Sequence, residues 1–262
     1  TLDVKLLARA GRGVLPTRFG RSLAQHARTI EAELRHAIRD IADLRLAEGG
    51  HLAVGASPIG MATLVGPSIA RLRRARPGLT VDVRNDASEA QLNALERGEL
   101  DIVIGALFGA ASDHEHLVEE VLFQNSLSVI VRGDHPLTQQ ENLSFADLAL
   151  ETWVIARGSA TIRQLVANEF RFEGAEPPKF AVETDSMLCV KGLLLSGDFM
   201  CANPPELFAT EIERGVLSKL KLRWHSGSRA IGFTLRENGT ITPAMASLIE
   251  VLRDLGRERL SA

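Results

Sequence analysis

At 262 residues the chain is longer than one ordinary core fills, so two compact domains are expected. Its composition, 45% hydrophobic and 24% charged with a net charge of -3, is that of a globular protein and excludes a uniformly basic surface, so any nucleic-acid contact must be local. No apolar run approaches the ~20 residues that cross a bilayer and no segment reads as a secretory leader, so a cytoplasmic location without a membrane partner is expected.

The sequence begins at Thr1, where a preceding helix should be ending, and therefore reads as part of a longer protein. Lys5, Arg9, Arg12, Arg18, Arg21 and Arg28 crowd this end with only Asp3 opposing them, a charge balance that suits phosphates. Arg9-Ala-Gly-Arg-Gly13 predicts a tight basic turn, and Thr17 is placed to cap a helix. From there Leu23, Ala27, Ile30, Leu34, Ala37, Ile41 and Leu44 alternate in steps of four and three, the seam spacing of a coiled coil. Such a helix, polar on its other sides, wants a partner helix. The competing reading, an amphipathic helix lying on its own domain, is weakened by the Gly49-Gly50 break that detaches it from the strand beginning at His51.

After the glycines strands and helices alternate. His51 to Ala56 predicts a strand, Ser57 a helix cap with Pro58 at the first position, and Pro77-Gly78 a stop before the strand Leu79 to Arg84. Ser88 and Gln91 read as a capping box opening a helix that closes at Gly98, and Asp101 to Ala106 as the third strand. These βαβ units imply a parallel sheet covered on both faces. Leu117 to Arg132 is extended and leads into a second block. There the strands Trp153–Ala156, Phe180–Glu183 and Phe199–Ala202 alternate with helices from about Thr161, from about Ser186 and after Asn203-Pro204. A strand near Ala230 to Arg236 and a helix after Thr242-Pro243 return to the first block.

No catalytic constellation emerges, and an enzyme is not expected. Gly11-Arg-Gly13 lacks a preceding strand and a third glycine, neither a Gly-x-Ser-x-Gly elbow nor a P-loop occurs, and no cofactor motif is present. His114 and His116 have no third ligand spaced nearby and read as solvated histidines rather than a metal site. Glu119 and Glu120 point to opposite faces of a strand, so they cannot converge on one substrate atom. Cys189 and Cys201, in apolar surroundings, read as two reduced core residues.

Leu2-Asp-Val-Lys-Leu-Leu-Ala-Arg9, Gly11-Arg-Gly-Val14, Thr17 and Gly20 resemble the end of the winged helix-turn-helix domain of LysR-type transcriptional regulators. Gly50-His-Leu-Ala-Val-Gly55, Pro77, Gly98-Glu-Leu-Asp-Ile-Val-Ile-Gly105 and His135-Pro-Leu137 are similar to their effector domain. Within the family, Ser57-Pro-x-Gly-Met61 and Asn203-Pro-Pro205 most resemble the branch of galactose-binding-protein and protocatechuate-pathway regulators.

The resemblance implies an α/β fold with a two-subdomain, type 2 periplasmic-binding-like effector domain behind a linker helix and a wing. Residues 1–18 would be the wing remnant, 19–48 the linker and dimerisation helix, 49–126 with 229–262 the first subdomain, and 127–228 the second. The two helices that would read the major groove are missing from this sequence. Arg9 and Arg12 in the wing would therefore touch DNA backbone or minor groove without specifying sequence, and as a solvated turn they need no DNA at all.

Helix N-termini attract anions and polar oxygens, and open parallel sheets bind ligands at the carboxyl ends of their strands. With the family pattern, that places Ser57, Pro58, Gly60 and Met61 opposite Ser159, Ala160 and Thr161 across a cleft, walled by Ala106, Phe108, Thr184, Asp185, Ala202 and Asn203. Each hydroxyl also reads as a helix cap, and Met61 and Phe108 as core. A small carboxylate, an aromatic acid or a sugar-like molecule fits as effector, with Arg157 as a nearby positive charge. DNA, the effector and further copies of the chain, as a dimer or tetramer, are the expected partners. A solute-binding protein of a transport system, or a truncated effector-binding and dimerisation module, remains the alternative.

Overall fold

The computed structural model describes residues 2–10, 13–46, 50–86, 88–107, 109, 114, 116–157, 160–225 and 228–260. It divides into two compact units: residues 1–57, 64–122 and 232–262 form one, and 58–63 with 123–231 the other.

In the first unit, β1 (Leu7–Ala10) and β2 (Gly13–Pro16) pair antiparallel with Arg9 opposite Val14. Thr17 then caps α1 (Arg18–Leu46) by accepting from the Gly20 amide at 3.1 Å, while donating to the Lys5 carbonyl at 2.7 Å. Gly20 is needed because a Cβ there would lie 1.9 Å from the Leu6 carbonyl oxygen. After α1 come β3 (His51–Ala56), a helical run, β4 (Thr80–Arg84), α4 (Ser88–Glu96) and β5 (Ile102–Ala106). The run consists of α2 (Pro58–Gly60), a π-helical segment (Met61–Val65) and α3 (Gly66–Ala75). Pro67 lacks the amide that would reach back to the Thr63 carbonyl, and its ring crowds that carbonyl, so the wider π turn falls just ahead of it.

The sheet order is β4-β3-β5-β12-β6, with β6 at Leu117–Ser126 and β12 at Ser228–Arg236. β3 runs parallel to β4 and β5, with Val54 opposite Val83 and Ile102. α8 (Pro243–Leu260), capped by Thr242, is clamped by two bidentate pairs: Arg71 with Glu258 at 2.7–3.0 Å and Arg253 with Glu120 at 2.7 Å. Ala53, Leu92, Leu95, Leu100 and Leu117 pack together as a core cluster.

The second unit holds the sheet β11-β7-β10-β8-β9, where β7 is Ser128–Arg132, β8 Thr152–Ile155, β9 Phe180–Glu183, β10 Phe199–Asn203 and β11 Leu217–Lys219. β10 and β8, and β8 and β9, are parallel, whereas β7 is antiparallel to both β10 and β11. Val129, Val131, Trp153, Met200 and Ala202 enter one core with Phe145 and Phe170; Ile130, Val154 and Cys201 enter another with Val190, Leu194 and Phe208. This period-two division means both faces are covered, one by α5 (Ala160–Phe172) and the other by α6 (Met187–Ser196). After Asn203-Pro204 the expected helix is shorter: a 3-10 turn at Pro205–Phe208, then α7 (Ala209–Glu213).

Three sequence expectations need correction: a strand, β1, does end at Ala10 just before Gly11, and two readings of side-chain environment change. Cys201 is buried but Cys189 is exposed, because it sits on the outer side of the first turn of α6; both thiols are free. His114 is not solvated: it is buried, with Nδ1 2.8 Å from Glu96 and Nε2 3.6 Å from Glu89, so α4 supplies partners that the sequence spacing does not reveal. His116 is exposed, as expected.

Candidate functional site

In the first unit the parallel strands β3 and β5 end side by side, and the backbone there positions Ser57. Its amide donates to the Ile104 carbonyl at 3.0 Å, and its Oγ accepts from the Ala106 amide at 3.4 Å. Gly105 has φ +151°, and a Cβ on it would lie 2.0 Å from the Ser57 Oγ, so only glycine lets the hydroxyl seat against the end of β5. Beside this hydroxyl lies a small cavity of about 20 Å³. Ser57, Gly105, Ala106 and Leu107 form one part of its lining; Ser88, Gln91, Val103, Glu119 and Thr234 form another. The Gln91 amide donates to the Ala56 and Asp86 carbonyls at 3.2 and 2.9 Å, so this side chain ties the start of α4 to the end of β3.

In the second unit, residues 58–63 pack with the turn at 205–208. Pro58 and Met61 are half-buried and Gly60 is buried. The parallel strands β8, β9 and β10 end together, which gathers Arg157, Thr184, Asp185 and Asn203 at one edge. Arg157 Nε lies 4.0 Å from an Asp185 carboxylate oxygen, both side chains largely exposed. Thr184 Oγ1 accepts from the Ser186 amide at 3.2 Å, and Ser186 in turn caps α6 by accepting from the Cys189 amide at 3.2 Å. Ala202 is buried, and Asn203 pairs with Ser128 on β7. Asn203 also hydrogen-bonds the Cys201 thiol, whose pKa burial nonetheless pushes up to about 12. Thr161 is exposed in the first turn of α5. Phe108, Ser159 and the side chain of Ala160 lie outside the described residues, as does Arg12 of the hairpin; Arg9 is exposed. Along α1, Leu23, Ala27, Ile30, Leu34, Ala37 and Ile41 are all exposed, and the Leu44 side chain is outside the described set.

Residues 46–257 match the family model described as the LysR substrate binding domain. The chain belongs to the LysR family. Over 256 residues it is 30% identical to the HTH-type transcriptional regulator GalR of Pseudomonas putida, a match covering 97% of this chain and 64% of that protein. The HTH-type transcriptional regulator GbpR of Rhizobium radiobacter is 31% identical over 196 residues, 72% of this chain and 63% of that one. The chain thus spans less than two thirds of these relatives, which are transcriptional regulators and not enzymes. Among solved structures, the effector binding domain of QuiR in complex with shikimate aligns with TM-score 0.67 at 16% identity, covering 80% of this chain and 99% of that one. The likeness is one of fold: an α/β domain with two mixed sheets.

Sequence reasoning does not find the side chains that line the cavity behind Ser57. Glu119 and Thr234 come from strands distant in sequence, and Ser88 and Gln91 read locally as capping residues. The strand alternation at Glu119-Glu120 is the available signal: Glu120 turns to Arg253 on α8, and Glu119 to the cavity.

Proposed function

We propose that the chain is the effector-binding and self-associating part of a LysR-type transcriptional regulator. In this reading the start of α2 after Ser57 and the strand ends at Arg157, Thr184, Asp185 and Asn203 hold a small molecule carrying hydroxyl or carboxylate oxygens. A single ligand engaging both units is supported by the family likeness, and the shikimate named with QuiR is a molecule of this kind. The observation that carries the reading is the seating of the Ser57 hydroxyl against Gly105 and Ala106, at the strand ends where open α/β sheets bind ligands. The basic hairpin with Arg9 would reach DNA backbone and position the protein there without reading sequence. The apolar stripe of α1, with Ile30 69% and Leu34 60% exposed, supports pairing with a second copy. Effector binding would change how copies assemble on DNA, a coupling typically of about 1–3 kcal/mol. A transport component is not favoured, because the relatives are transcriptional regulators.

The test is a thermal-shift screen with aromatic acids, sugars and sugar acids, repeated on Ser57→Ala. A saturable rise in melting temperature, weakened about tenfold or more by that change, is the expected result. A ligand whose affinity is indifferent to Ser57→Ala would overturn the placement of the site.

A further inference from the structure

We propose that Glu119 sets the chemical class of the ligand, by requiring an O–H donor in the cavity behind Ser57 and rejecting a carboxylate there. The inference rests on the reading that Ser57 marks the ligand site. Three neighbouring strands contribute to this wall: Val103 from β5, Thr234 from β12 and Glu119 from β6, with Ser88 and Gln91 of α4 opposite. Among the described residues of the lining Glu119 is the one that carries a charge, and none of them is a lysine, arginine or histidine. Among the described residues the side chains of Glu119, Ser88 and Thr234 make no hydrogen bond or ion pair, although Thr234 is only 3% exposed.

A carboxylate can only accept, and closing a ligand over it strips its water. That loss is offset only if the ligand donates a proton to it. A ligand carboxylate in the same place would instead bring two like charges together in a confined site, with no cation among the described lining residues to relieve them. Thr234 and Ser88 can each donate or accept, so they complete the environment of a hydroxyl. At about 20 Å³ the cavity admits one such small group rather than a ring. The occupant is therefore the hydroxyl of an alcohol or polyol, and any acidic part of the same ligand lies outside this cavity.

Matched probes that carry no other hydroxyl and differ only by CH2OH against COO⁻ read this directly: benzyl alcohol with benzoate, phenethyl alcohol with phenylacetate, and cinnamyl alcohol with cinnamate. Affinities are measured by calorimetry on the wild-type chain, Glu119→Gln, Thr234→Val and Ser57→Ala. The wild type should favour the alcohol of a pair, and Glu119→Gln should shift the alcohol-to-acid ratio toward the acid by about tenfold or more, the scale of one hydrogen bond to a charged group. Thr234→Val should weaken the alcohol alone, and it carries the test if Glu119→Gln fails to fold. A wild-type preference for the acids, no binding by any alcohol, or an unchanged ratio in Glu119→Gln overturns the proposal. Loss of binding in Ser57→Ala beside an unchanged ratio removes only the role of Glu119; binding indifferent to Ser57 removes the site itself.

Discussion

At the scale of single residues, Gly105 couples backbone conformation to the placement of a hydroxyl. Its φ of +151° is one that L side chains rarely adopt, and an added Cβ would meet the Ser57 Oγ at 2.0 Å. Gly105→Ala should therefore cost about 3 kcal/mol, read as a lower urea midpoint, at unchanged slope, for the transition of the first unit, which holds this glycine. A Ser57→Gly background should lessen that cost, because the two positions collide and their effects do not add. The cysteines, read from the sequence as two core residues, differ in burial. Cys201 is buried with its thiol pushed up to about 12, whereas Cys189 faces solvent. At pH 8 iodoacetamide should add one carbamidomethyl group per native chain, seen by mass spectrometry, and none to Cys189→Ser until it is unfolded.

At the scale of elements, the order of strands and helices was legible in the sequence because periodicity and caps are local signals. Thr17, Ser186 and Thr242 each cap the helix expected after them, and Phe180–Glu183 is a strand with the bounds its composition suggests. What stayed hidden depends on contacts distant in sequence: the antiparallel placement of β7 against β10, the burial of His114 between two glutamates of α4, and the cavity wall at Glu119 and Thr234. The clamp on α8 is of the same kind. Arg253 holds the Glu120 pKa below the ordinary carboxylate value of about 4.5, so this pair stabilises the fold fully above that value and loses its effect as the pH falls through the lowered one. Because both side chains are more than a third exposed, the gain is no more than about 1 kcal/mol. Glu120→Gln should thus lower the melting temperature slightly at pH 7, and the difference from wild type should vanish as acid protonates Glu120. A bigger effect belongs to α1, whose exposed leucines and isoleucines lie along one stripe. Ile30→Glu with Leu34→Glu should weaken self-association at least about tenfold, measured by sedimentation equilibrium, without unfolding either α/β unit.

At the scale of the whole molecule, each unit has its own sheet and its own core, and the chain passes between them within β6, within β12 and near residues 57–64. Units that carry separate cores can unfold separately, and two-state behaviour is then not expected of the unliganded chain. Calorimetry should resolve two transitions. A ligand held by residues of both units stabilises only the state in which both are folded, so it should merge the transitions and raise the combined one. At a concentration a hundred times its Kd the added stability is about 2.7 kcal/mol. A ligand that raised a single transition and left the other in place would be held by one unit alone. In that case Ser57→Ala would abolish the shift if the first unit is the holder, and Thr184→Ala would abolish it if the second is. The merged transition depends on both residues together, which makes the thermogram a direct reading of whether one effector serves both halves of the fold.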